Sequence, residues 1–445
     1  MAPVGILPPQ PTRPYDVIVV GAGVAGLAAS KRLRAEGKRV LVLEASARVG
    51  GRALSDNKRF SVPIDLGAGW LHDPKNNPFL PFVEKGGTAP ANSMFTQLLF
   101  VNGKPATAEE RKAFDRVHDG LEKALQREAR AGHDVSAGAL LDKKERFASS
   151  AGAVFGAFES AREIDETSVM DVGIFGAGDD LFVKKGIGNL IEAWGKEARV
   201  KLRTPVDSIH YDEGGVVVRT KTGEVYQATT AIVTTSTGVL ASGAIRFTPK
   251  LPSETSAAIK ALPMGLMNKV IFEFDDRANA VFAKIPDNTG AIFHDDDGAP
   301  VAFVLRPHGK NMAIGFVGGE NAWRLEKLPV KDLKALMLGK LTSAYGPTLA
   351  ASVKASTVTQ WGKNPFTRGA YSAADPGKAD ARQTLADPVA GRVFFAGEAV
   401  AGPEDNGTLR GAYRSGEAAS KRVMAQLAKD ARKVRLPHHP ALIAA

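Results

Sequence analysis

Residues 16–27 run DVIVVGAGVAGL, and the fold is decided by what this stretch has to be. Asp16 to Val20 ends in four β-branched residues with no polar alternation, the composition of a strand buried on both faces of a parallel sheet. Gly21, Gly23, Ala25 and Gly26 follow, and then Leu27 to Gly37 carries Leu27, Ala28, Leu33 and Ala35 among basic residues, as a helix would. A second apolar run, Val40 to Leu43, closes a strand–turn–helix–strand unit. In such a unit the small residues allow a tight turn, close backbone approach to a pyrophosphate and close helix packing, while the helix N-terminus favours its charge. Glu44 stands at the end of the second strand, 18 residues beyond Gly26, where a carboxylate accepts from ribose hydroxyls. The unit predicts a dinucleotide site and leaves FAD and NAD both open.

A chain of 445 residues is too long for one ordinary core, which points to two interleaved domains. With 44% hydrophobic and 24% charged residues, and no apolar run near the roughly 20 residues that span a bilayer, a soluble globular protein without a membrane span is expected. Residues 1–14 have neither the basic start nor the apolar stretch of an export signal, so a cytoplasmic protein with a flexible arm is expected there, and residues 431–445 read as a flexible tail. The absence of cysteine excludes disulfides, thiolate metal sites, cysteine nucleophiles and a cysteinyl flavin link, and no metal site is expected. The formal charge of +10 is spread along the chain without aromatic interleaving, which reads as a solvated basic surface rather than a nucleic-acid site.

Further along, Thr107 to Gly132 places Phe114, Val117, Leu121 and Leu125 at spacings of three and four, an amphipathic helix, with more helix expected to about Ala161. Strands are expected at Val200–Leu202, Val206–Tyr211, Val216–Thr220, Ala231–Thr234, Lys269–Phe274, Val301–Leu305, Met312–Val317 and Val393–Ala396, with a last helix from about Gly411 to Leu427. The expectation is an α/β protein: a Rossmann-type nucleotide-binding domain from residues 15–75, 180–245 and 386–430, and an α+β substrate domain of mixed sheet and helices from 76–179 and 246–385.

Glu44 to Arg52, EASARVGGR, resembles the continuation of the FAD fold in the superfamily of amine oxidases, phytoene desaturases and protoporphyrinogen oxidases. The resemblance implies non-covalent FAD, with Arg52 facing the pyrophosphate; Ser46 departs from the arginine usual at its position. Asp65 to Trp70, DLGAGW, resembles the loop beneath the isoalloxazine, which brings in Gly69 and Trp70. Val206 in Thr204-Pro205-Val206 resembles the adenine-contacting strand, and Glu398 in FFAGE with Thr408 and Leu409 in GTLRGA resembles the C-terminal flavin motif.

Residues 247–274 are similar to the stretch of polyamine oxidases and histone lysine demethylases that presents a lysine to the flavin, here Lys269. Its bland alternative is a lysine reaching for water at a sheet edge. WGKNPFTRGAYS, residues 361–372, resembles the family segment at the flavin face, which makes Trp361 and Tyr371 site residues beside Lys269. Ala370 stands where monoamine oxidases have the tethering cysteine, and Thr408 where they have a second cage tyrosine. The implied reaction is oxidation of an amine C–N bond to an imine, hydrolysed to aldehyde or ketone, with O2 reduced to hydrogen peroxide. A desaturase-like or protoporphyrinogen-oxidase-like enzyme and an L-amino-acid oxidase with Arg306 or Arg368 on the substrate carboxylate are the alternatives. For polyamines, Asp171, Asp179 and Asp180 are candidate tunnel carboxylates.

Overall fold

The computed structural model describes residues 15–91, 95–174 and 180–435; the arm at 1–14, Asp179 and residues 436–445 lie outside the described residues. An eight-stranded sheet is centred on Tyr15–Val20, which pairs in parallel with Val40–Leu43 on one side and Val225–Val233 on the other. Val17, Ile18 and Val19 have no exposed surface, as the uninterrupted β-branched run requires. Val200–Lys201 extends one edge, Val393–Phe395 pairs in parallel with Val225–Val233, and the antiparallel strands Gly215–Thr220 and Val206–Asp212 continue the other side. The sheet thus draws on three separated stretches of chain. Helices Val24–Ala35 and Leu409–Arg435 lie packed together against it.

A seven-stranded mixed sheet carries Met267–Phe274 between Met312–Gly318 and Val353–Val358, both antiparallel to it. Val301–Leu305, Thr289–His294 and Leu98–Val101 follow, the last two in parallel. One face of this sheet packs on helix Ala108–Ala131 through Phe114, Leu121 and Leu125, and the other packs on helix Val330–Tyr345 through Leu333, Met337 and Leu341. The first of these helices keeps its expected limits because Thr107 and Glu110 form a reciprocal capping box and Gly132 closes it in the left-handed conformation.

Two expectations change. Arg246–Thr248, expected in the second domain, pairs in parallel with Val206–Asp212, because Phe247 packs against Phe395 in the core of the first sheet. The further helix expected to about Ala161 is present as Ala137–Leu140, Ala148–Ala153 and a π-helical turn Val154–Phe158; Gly156 faces backbone there so closely that a Cβ would lie 2.7 Å from the amide nitrogen of Ile164. Residues 431–435, read as tail, continue the last helix, which Asp430 anchors through Gln426 and Arg392. Among the described residues no helix is long and apolar enough to cross a membrane.

Candidate functional site

A cleft of about 2250 Å3, part of it open to solvent, runs from the first glycine turn to the face of the lysine-bearing strand. At its first end the turn is set by close contacts. Gly21 has φ +104°, and a Cβ on Gly26 would lie 2.0 Å from the Gly21 carbonyl oxygen, so the helix starts hard against the strand end. Gly26 does not line the cleft, whereas Gly21, Gly23 and Ala25 do. Glu44, expected as a ribose acceptor, is buried at 8% exposure. Its carboxylate accepts from the amides of Ala22 at 2.7 Å and Ser46 at 2.8 Å, so it latches the turn as well as lining the cleft.

Arg48, not singled out by sequence reasoning, donates to the carbonyls of Val49 and Ala53 at 3.0 and 3.1 Å and holds the Gly50-Gly51 turn. Arg52 joins three motifs that lie far apart in sequence. Its Nη1 donates to the Ala370 carbonyl at 2.7 Å and to Glu398 at 2.9 Å, and Glu398 accepts from the Ser372 hydroxyl at 2.8 Å. Arg52 lines the cleft, but this guanidinium nitrogen is bound within the protein rather than left for a pyrophosphate. Val206, 6% exposed, lines the cleft beside Thr204 and Pro205.

At the other end, Lys269 sits in a strand that is paired on both sides, so it is not a sheet-edge lysine. It is 5% exposed, and its Nζ donates to the carbonyls of Asp65 at 2.9 Å and Gly67 at 2.7 Å. The ring centroids of Trp70 and Phe316 lie 5.4 and 5.6 Å away, within range of a cation–π contact. Burial pulls the ammonium down to about 8, and the nearby Asp65 opposes that fall. Gly69 leaves room for it: a Cβ there would come 3.1 Å from Nζ.

Trp361 completes the hold on the loop, its Nε1 donating to the Leu66 carbonyl at 3.1 Å. Three successive carbonyls, of Asp65, Leu66 and Gly67, are thus captured by Lys269 and Trp361. The Asp65 carboxylate, pushed up by burial, accepts from Ser55 and from the amides of Ile187 and Gly188 at 3.0 and 3.1 Å. Tyr371 donates its hydroxyl to the Phe158 carbonyl at 2.9 Å, and burial raises its pKa. Thr408 caps the last helix, accepting from Gly411 at 2.9 Å and donating to Asp405 at 2.7 Å; with Leu409 it lines the cleft.

Sequence reasoning missed Phe95, Phe158 and Glu159, which line the same end. Phe95 lies 6.2 Å from Trp70 and 5.4 Å from Phe158 between ring centroids. They belong to parts of the chain without a strong local pattern, and only the fold brings them to Trp70. The three aspartates proposed for a tunnel do not form one. Asp171 is buried in an ion pair with Arg382, outside the cleft lining, Asp180 bonds His72 Nδ1 at 2.9 Å, and Asp179 lies outside the described residues. Arg306, offered as a carboxylate anchor, is paired with Asp287 at 3.2 Å and does not line the cleft, while Arg368 does line it.

The cleft suits a dinucleotide with a flat ring system. A helix N-terminus with no side-chain cap faces one end at Gly23, and the walls of the other end carry apolar rings and one buried cation. The family described as flavin-containing amine oxidoreductase matches residues 24–179 and 139–424. This chain belongs to that family. Protein FLOWERING LOCUS D of Arabidopsis thaliana is 31% identical over 461 residues, covering 95% of this chain and 56% of its own length. Polyamine oxidase 4 of Oryza sativa subsp. japonica is 30% identical over 456 residues, covering 94% and 91%. The chain spans about half the length of the first of these relatives and nearly all of the second. A solved putrescine oxidase with putrescine bound superposes with a TM-score of 0.75 at 20% identity, over 92% of this chain and 99% of that one, which shows a shared mixed α/β fold.

Proposed function

We propose that the protein is an FAD-dependent amine oxidase that takes a small amine and O2, with Lys269, Trp361 and Tyr371 around the reacting centre. The observation that carries this is Lys269: a buried ammonium, in a doubly paired strand, directed at the cleft and held by the loop 65–69. FAD would be held without a covalent link by Gly21, Gly23, Ala25, Glu44, Arg52, Gly69, Trp70, Val206, Glu398, Thr408 and Leu409, with Ala370 offering no atom for a tether. When bound, FAD supplies two-electron oxidation of the amine C–N bond to an imine, with the electrons passed to O2 as hydrogen peroxide.

The protein's own residues orient and dry the site. Trp70, Phe95 and Phe158 exclude water from the amine, and a desolvated Lys269 cation stabilises negative charge that develops beside it. Lys269 is also the feature that favours an amine oxidase over a desaturase-like relative. The eight-stranded sheet with residues 15–75, 180–245 and 386–430 would form the FAD-binding domain, extended by Arg246–Thr248, and the seven-stranded sheet with its helices would form the substrate domain. The polyamine oxidase and putrescine oxidase among the similar proteins support an amine substrate. Release of hydrogen peroxide across a panel of amines tests the reading; no peroxide with any amine would contradict it.

A further inference from the structure

Asn268 directly precedes Lys269 in its strand, so the two side chains leave opposite faces. With Glu326 and Thr359 it forms a buried polar cluster, and none of the three lines the cleft. Glu326, at the end of helix Gly319–Leu325, has no ion pair among the described residues, so its carboxylate depends on hydrogen bonds. Its Oε1 accepts from the side-chain amide of Asn268 at 3.3 Å and from the main-chain amides of Gly362 at 3.1 Å and Lys363 at 3.4 Å. Asn268 Oδ1 in turn accepts from the Trp361 amide at 3.0 Å and the Thr359 hydroxyl at 3.2 Å. Thr359 Oγ1 accepts from the main-chain amide of Lys269 at 2.7 Å.

We infer that Glu326 is a positioning residue for the reaction: through Asn268 and the turn at 361–363 it sets the register in which Lys269 and Trp361 grip the loop carbonyls of residues 65–67. The inference rests on the amine-oxidase reading, which puts Lys269 and Trp361 at the reacting centre, and deepens it. The cluster's bonds to main-chain amides fall at residues 269 and 361–363, the two places from which Lys269 Nζ and Trp361 Nε1 reach across to the loop. A buried carboxylate adds little stability over a well-packed apolar side chain, but its directional bonds admit one register. Gly362 fits the same arrangement, because a Cβ there would meet Glu326 Oε2 and the Trp323 ring. Lys269 needs such a hold. Burial draws its ammonium down to about 8, and Asp65 is the charged group that opposes the fall. A slip of the strand or of the turn would admit water and return the group towards the ordinary lysine range.

The test titrates the visible absorbance of the oxidised flavin in the holoenzyme, which reports a charge beside the ring without turnover. The wild type should show a step near pH 8, and Lys269→Met should lack it. In Glu326→Leu the step should move up by about one pH unit, and oxidation of dithionite-reduced flavin by O2 at neutral pH should slow about tenfold. Glu326→Gln keeps an acceptor oxygen and loses only the charge, so it should stay within about threefold of the wild-type rate with its step unmoved. A step and rate unchanged in FAD-loaded Glu326→Leu would overturn the role of Glu326 alone. If that variant does not hold FAD, Glu326→Asp, one methylene shorter, decides by the same titration: an upward move supports the inference and an unmoved step overturns it. A wild-type flavin without the step, or a step that Lys269→Met retains, would instead take Lys269 away from the flavin, and the amine-oxidase reading would lose the observation that carries it together with this inference.

Discussion

At the first end of the cleft the contacts that shape the site come from main-chain groups and small residues: the Gly21 carbonyl under Gly26, and the amides of Ala22 and Ser46 on Glu44. At the other end they come from long side chains crossing between sheets, with Lys269 and Trp361 gripping a loop some two hundred residues or more away in sequence. The first construction tolerates almost no added atoms, because its partners are backbone that cannot rotate away. The second tolerates conservative changes in shape but not the loss of charge. One end should therefore fail as a fold and the other as a catalyst.

The largest effect is expected from Gly26→Val. Side-chain atoms forced against the Gly21 carbonyl should destabilise by about 3 kcal/mol or more and leave little flavin bound. Thermal melting with flavin content of the purified protein checks this; normal content would mean that the turn has slack the contacts do not suggest.

Next comes Lys269→Met, which should retain FAD yet slow oxidation of the reduced flavin on the order of 10²-fold. Because Lys269 is drawn down to about 8, its charge is complete well below that pH and lost as pH rises through it. The oxygen half-reaction of the wild type should fall over that window, and that of the variant should be flat, as stopped-flow mixing with O2 would show. A wild-type profile without the step would remove Lys269 from the reaction.

A smaller effect is expected from Glu44→Ala. Unlike an exposed ribose ligand, this carboxylate also serves two amides, so the variant should lose about 1–3 kcal/mol of stability along with roughly tenfold in FAD affinity. Calorimetry of the apo-protein with FAD, beside denaturant melts, separates the two losses; weaker binding at unchanged stability would restore the simpler ribose role. Smallest of all, Tyr371→Phe removes the hydroxyl bond to the Phe158 carbonyl and should cost about 1 kcal/mol in a denaturant melt. A loss of kcat beyond tenfold would give that hydroxyl a part in the chemistry.

The same contrast explains what could be seen in the chain beforehand. The glycine turn, Glu44 and the buried strand Tyr15–Val20 are visible because local composition fixes them. Lys269 was visible only through resemblance, since composition alone favours a lysine at a sheet edge; its burial depends on strands at 312–318 and 353–358. Glu159 and Phe95 carried no signal, because a π-helical turn has no simple sequence period and Phe95 sits outside any regular element. Asp171 misled for the opposite reason. An acid grouped with Asp179 and Asp180 reads as a carboxylate free to meet an amine until the fold supplies Arg382.

In the proposed function an amine gives its electrons directly to flavin held in this cleft. Anaerobic mixing of the purified protein with candidate amines measures that transfer without oxygen chemistry. Loss of the visible flavin absorbance, one aldehyde or ketone formed per flavin, and return of the colour with hydrogen peroxide when air is admitted are expected. Absorbance that no amine changes, in protein shown to carry FAD, would contradict it.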